Sequence, residues 1–198
     1  MRTLMIGLPE NQERLNRGLA HCRERGLENV EAVWGINSVL CGLDTSNKYE
    51  VDNPGYRMGG KQVSLHLSHY MLWKVLLYQP EDEFIILEDD VRWDKDWLPR
   101  FQSAYSVLPK DWDFVWIGHC CAYDKPQWCV EKNLYVVNYP MCTHAYMVRK
   151  KALPIMLDKC MKVWSPVDIA LVLDAMPQLK HFTIIPRICD QFNTSLPL

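Results

Sequence analysis

The sequence predicts a single α/β domain with a mainly parallel central sheet flanked by helices. Three observations carry this. Apolar runs of strand length alternate with segments of helical period along the whole chain. The first strand, helix and second strand follow at βαβ spacing, which favours parallel neighbours. The 198 residues suffice for one domain with a substantial core and would be cramped as two.

The elements follow in order. Residues 4–8 read as a strand broken by Pro9. Residues 10–25 read as a helix with Leu15, Leu19 and Cys22 on its apolar face, closed by Gly26. Residues 30–34 form a second strand. Residues 41–60 are polar and turn-rich, a long loop with Asn53-Pro54-Gly55 as its clearest turn. Residues 63–78 carry two apolar stripes, one through Leu65, His69, Leu72 and Leu76 and one through His66, Tyr70, Trp73 and Leu77, so this helix is largely buried. Further helices are expected at 96–108, at 150–161 with Pro154 in the first turn, and at 165–176. Further strands are expected at 84–87, 113–118, 134–137, 143–148 and 182–185, followed by a tail from Pro186.

Composition excludes several classes. Apolar residues at 48% and charged residues at 23% argue against disorder. Net charge of -2 without a Lys/Arg-rich block argues against a duplex nucleic-acid binder. The amino terminus is too short in its apolar part for a signal peptide, and no run reaches the roughly 18 apolar residues of a membrane helix. The expectation is a cytoplasmic protein, with peripheral membrane association left open. None of the eight cysteines forms a C-x-x-C pair, so free thiols are expected and a structural zinc site is not.

The chemistry centres on Phe84-Ile85-Ile86-Leu87-Glu88-Asp89-Asp90-Val91, an apolar strand that runs into three carboxylates. Adjacent acids repel one another, and a cation or donor-rich ligand is what most readily holds them together in a fold. In open α/β sheets, ligands bind at the carboxyl ends of strands. The plain alternative is a solvated acidic turn.

Several ordered motifs resemble glycosyltransferase family 25. Lys61-Gln62-Val63-Ser64-Leu65-His66-Leu67-Ser68-His69 with Trp73 is similar to that family's G-E-I-G-C-x-L-S-H-x-x-x-W, and Leu87 to Asp90 to its L-E-D-D. Asp111-Trp112-Asp113 leading to Gly118, Thr143 to Val148, Pro166-Val167-Asp168, and Gln191 with Ser195 complete the order. The sequence departs from the pattern at Gln62, where the family has Glu, and at Trp34, where it often has Asp.

The resemblance implies a GT-A-type fold over 1–198, with a donor-nucleotide half at 1–90 and an acceptor half at 91–198. It implies inverting transfer of galactose or glucose from a UDP-sugar to a hydroxyl of a glycan, protein or other polymer. It implies a divalent cation, Mn²⁺ in preference to Mg²⁺, held by Glu88 and Asp90. Gly7, Arg14, Ser68, His69, Glu88 and Asp89 are then expected to meet the donor.

The reaction needs a base for the acceptor proton. Asp168 is the candidate, although Ser165-Pro166-Val167-Asp168 also reads as a helix cap. Asp113 is second choice. His119, His144 and His181 are candidate extra ligands, and Trp93, Trp128 or Trp164 candidate sugar platforms. Two other readings stand beside the transferase: a non-catalytic nucleotide-sugar or glycan binder of the same fold, and a metal-dependent hydrolase.

Overall fold

A computed structural model describes residues 1–37, 40, 58–120, 128–131 and 133–192; of residues 128–131 it describes the backbone. Strands are β1 (Arg2–Gly7), β2 (Val30–Trp34), β3 (Glu83–Glu88), β4 (Val91–Trp93), β5 (Phe114–Gly118), β6 (Trp128–Glu131), β7 (Leu134–Val136), β8 (Ala145–Arg149), β9 (His181–Ile184) and β10 (Cys189–Gln191). Helices are α1 (Gln12–Glu24), α2 (Gly60–Leu76), α3 (Trp97–Tyr105), α4 (Leu153–Lys159) and α5 (Val167–Ala170). The expected loop at 41–60 falls almost wholly outside the described residues.

The strands form one mixed sheet in the order β2-β1-β3-β8-β5-β9-β7-β6. β1 pairs in parallel with both β2 and β3. β8 runs antiparallel between β3 and β5. β10 pairs in parallel with β5 and antiparallel with β4, forming a short branch off the main sheet.

Period-two alternation divides the core. Leu4, Ile6, Phe84 and Ile86 face one way, against Leu72, Trp73 and Leu76 of α2. Met5, Ile85 and Leu87 face the other way, into a cluster with Leu15 and Cys22 of α1 and Trp97 and Phe101 of α3. This division decides which helix each carboxylate of the acidic turn meets.

Three short strands lie outside the sequence expectation. β4 directly follows the acidic turn, β6 opens a hairpin with β7, and β10 lies in the expected tail. Strands of three or four residues carry too little periodicity to read. The helix expected at 165–176 is instead α5 followed by a π-helical turn at Leu171–Ala175. Pro154 does lie in the first turn of α4, where its missing N–H costs nothing.

The free-thiol expectation fails at one pair. Cys120 and Cys142 form a disulfide across 22 residues, with Cα atoms 5.6 Å apart. Cysteines at such separation carry no pairing signal in sequence, because the fold brings them together. Cys22, Cys160 and Cys189 are buried free thiols, and burial pushes the Cys160 thiol up to about 12. Such thiols behave as small core residues.

Candidate functional site

The acidic turn leaves the carboxyl end of β3 in the middle of the sheet. Glu88, Asp89 and Asp90 are all buried, each less than a tenth exposed. Strand alternation carries Glu88 to the α2 side, with Phe84 and Ile86. There its Oε1 accepts hydrogen bonds from Thr143 Oγ1 at 2.7 Å and from His69 Nε2 at 3.3 Å. Asp89 turns to the α1 side, where Arg14 Nε lies 2.8 Å from its Oδ1.

The same alternation would return Asp90 to the Glu88 side. The strand ends at Glu88, however, and the following turn leaves Asp90 beside Asp89, with Arg14 Nη2 2.8 Å from its Oδ2. Gln191 Nε2 donates to Asp90 at 3.3 Å, and Phe192 N–H donates to its backbone carbonyl at 2.8 Å. Gly18 lets α1 come this close: a Cβ there would lie 2.6 Å from the Asp89 carbonyl oxygen.

The two sides differ electrostatically. Burial works to raise Glu88, but the hydrogen bonds from His69 and Thr143 and the nearby imidazoles hold it below the ordinary carboxylate range. Burial raises Asp89 in spite of Arg14. Burial and the Glu88 charge push Asp90 up to about 6. Asp89 and Asp90 thus share the guanidinium of Arg14, Glu88 lies with His69 and Thr143, and the three buried acids together carry an excess of negative charge. An oxygen-rich, electron-rich set of this kind fits a hard divalent cation.

A cleft of about 510 Å³ opens beside the turn. Glu88, Asp89, Arg14, Gly7 and Ser68 line it together with Ile6, Leu8 and Leu65. Asp90 is not among its lining residues. Gly7 ends β1 and packs against α1, where a Cβ would meet Leu15 at 2.8 Å. Ser68 is committed to structure: its Oγ donates to the Ser64 carbonyl at 2.6 Å and accepts the Ile36 N–H at 2.8 Å, which ties the end of β2 to α2. His69 is fully buried and reaches the cleft only through Glu88. Gln62 caps α2 by accepting the Gly59 N–H at 2.9 Å.

Asp168 sits in the first turn of α5, and its oxygens accept the N–H groups of Cys142 at 3.0 Å and Ile169 at 2.9 Å. It does not line the cleft. Cys142 and Thr143 are adjacent, so one short segment contacts Asp168 through its backbone and Glu88 through a side chain. Asp113 is structural, accepting the Lys180 N–H at 2.8 Å and pairing with Lys151 at 2.7 Å.

The remaining candidates separate from the site. Trp93 is 1% exposed and cannot offer a face to a sugar, because β4 turns it into the core. Trp164 donates to Asp174 at 2.7 Å, and the Trp128 side chain lies outside the described residues. The His144 ring is turned to the Cys189 carbonyl, 3.4 Å away, and burial lowers its pKa. His119 lies 3.3 Å from the Ile184 carbonyl, and burial lowers it to about 4. His181 stands at the start of β9 and is likewise lowered by burial.

Thr143 was missed as a site residue. Its signal is its position: two residues before Ala145, the β8 partner of Leu87, it falls beside the acidic end of β3.

Comparison with known proteins agrees with this architecture. Residues 1–171 match the family model described as glycosyltransferase family 25 (LPS biosynthesis protein). The human protein named inactive glycosyltransferase 25 family member 3 is 26% identical over 89% of this chain, and a glycosyltransferase 25 family member of Aedes aegypti is 26% identical over 83%. Mouse procollagen galactosyltransferase 2 is 23% identical over 58% of this chain. The chain spans about a third or less of the length of these relatives. A solved glycosyltransferase involved in glycosylation of the major capsid of PBCV-1 shares the fold, with a TM-score of 0.57 at 9% identity, covering 98% of this chain and 93% of that one. From the acidic turn to the ordered motifs around it, the chain belongs to glycosyltransferase family 25.

Proposed function

We propose that this protein is an inverting, cation-dependent transferase that moves galactose or glucose from a UDP-sugar to a hydroxyl of a glycan, protein or other polymer. The observation that carries the reading is the buried trio Glu88, Asp89 and Asp90 beside a cleft of about 510 Å³, with the Arg14 guanidinium against the two aspartates. Glu88 and Asp90 would hold the cation, Mn²⁺ in preference to Mg²⁺, and Asp89 lines the cleft beside them. When bound there, such a cation would supply positive charge against the departing diphosphate. Gly7 allows close approach of the nucleotide, and Arg14 adds positive charge where the donor phosphates enter. Ser68 and His69 serve the donor indirectly, the first by shaping the cleft and the second by orienting Glu88.

Asp168 is proposed as the base that accepts the acceptor proton. Its support is the Cys142-Thr143 segment that links it to Glu88. Its two hydrogen bonds orient it at a helix start.

The test is UDP release from UDP-galactose and UDP-glucose in the presence of Mn²⁺. Release that depends on metal and is lost in Asp90→Ala supports the reading. Absence of both binding and hydrolysis of any UDP-sugar overturns it. A second reading, a nucleotide-sugar binder without turnover, is favoured by the relatives named inactive. It predicts that UDP-sugar binds and that Asp168→Asn changes nothing.

A further inference from the structure

Glu88 is gripped on one oxygen by a chain of fully buried side chains. Trp73 and His69 lie one turn apart on α2 and so share a face. Tyr146 lies on β8 opposite Ile86, two residues before Glu88 on β3 and on the same face of the sheet. All three rings are 0% exposed, so water does not complete their bonding. Trp73 Nε1 is 2.8 Å from the Tyr146 hydroxyl, that hydroxyl is 2.9 Å from His69 Nδ1, and His69 Nε2 is 3.3 Å from Glu88 Oε1.

For a singly protonated His69 ring, chemistry fixes the direction of every bond. An indole N–H only donates, so the Tyr146 oxygen accepts from Trp73. The single hydroxyl proton of Tyr146 then goes to His69 Nδ1, which must be the unprotonated nitrogen. The ring proton therefore sits on Nε2 and points at Glu88. In the opposite tautomer the Nε2 lone pair would face a carboxylate oxygen, and the Tyr146 proton would lose its acceptor. A buried donor or acceptor without a partner is costly, so two such losses would select strongly against that form. The Tyr146 ring is itself fixed, stacked on Phe114 at 4.8 Å and 13°.

We propose that Tyr146 and Trp73 are positioning residues that lock His69 as the Nε2–H tautomer and thereby hold the Glu88 carboxylate in one orientation, with Thr143 as the second donor. Oε1 is committed to protein donors, and Oε2 is left for the ligand. The functional half of this inference rests on the reading of Glu88 as a cation ligand; the tautomer assignment does not. Supporting side chains of this kind typically change metal affinity 10–100-fold.

The experiment uses metal-free protein labelled with ¹⁵N-histidine. The His69 ring is expected to show a protonated Nε2 and an unprotonated Nδ1. A protonated Nδ1, alone or together with Nε2, overturns the relay. Tyr146→Phe keeps the ring and its stacking and removes only the oxygen. It is expected to lose the single tautomer and to bind Mn²⁺ about tenfold more weakly by calorimetry, with the fold retained by circular dichroism. Unchanged Mn²⁺ affinity overturns the positioning role. If the parent binds no Mn²⁺, the proposed function fails, while the tautomer of the parent still decides the relay.

Discussion

The two faces of one acidic turn solve the same problem differently. On the α2 face, Glu88 is held by the donors Thr143 and His69, and it stays below the ordinary carboxylate range. On the α1 face, Asp89 and Asp90 share the single guanidinium of Arg14, and both are raised. A set of aimed hydrogen bonds stabilises a buried charge more completely than one cation divided between two acids. The glutamate side is thus preorganised, and the aspartate side stores unfavourable charge that a ligand can relieve.

The largest expected effect comes from cutting the tether on the glutamate side. Cys142→Ser removes a disulfide that closes a 22-residue separation beside Thr143, at a cost of about 3 kcal/mol in unfolding free energy. Denaturation with and without dithiothreitol checks this: reductant should destabilise the parent by the same amount and leave the variant unchanged.

On the aspartate side the sign reverses. The Asp90 carboxyl is raised from 3.8 to about 6, so the folded state disfavours its charge by roughly 2–3 kcal/mol. That penalty is absent below the unfolded pKa, grows as pH rises toward 6, and is constant above it. Asp90→Asn should therefore be more stable than the metal-free parent at pH 8, with the difference gone near pH 4. Equal stability at both pH values would remove the contrast between the faces.

Glu88→Gln should do the opposite and less, destabilising by about 1–2 kcal/mol, because Thr143 and His69 would then donate to a neutral oxygen. Here the lowered pKa places the stability above the ordinary carboxylate range, and it is lost as pH falls through the folded value. The difference from the parent should disappear in acid.

Much of this contrast could be read in advance. The apolar run into Glu88-Asp89-Asp90 announced the strand and its charged end, and the period of two in any strand puts neighbours such as Glu88 and Asp89 on opposite faces. Asp90 escaped that logic because alternation stops where the strand stops. The stripe on α2 marked His69 and Trp73 as buried, but their partner Tyr146 lies more than 70 residues away, joined to them by the β3–β8 register. The Cys120–Cys142 pair and the short strands β4 and β10 were illegible for the same reason: tertiary contacts create them, and local pattern does not. Trp93 shows the converse, an aromatic whose type suggested a sugar platform and whose β4 position buries it.

If the acidic turn is the cation-dependent donor site proposed above, UDP binding needs the cation. Calorimetric titration of UDP into the protein, with and without Mn²⁺, tests it most directly. UDP binding is expected to require Mn²⁺ in the parent and to be abolished in Asp90→Ala. UDP binding of equal strength without metal, or undiminished in Asp90→Ala, would contradict it.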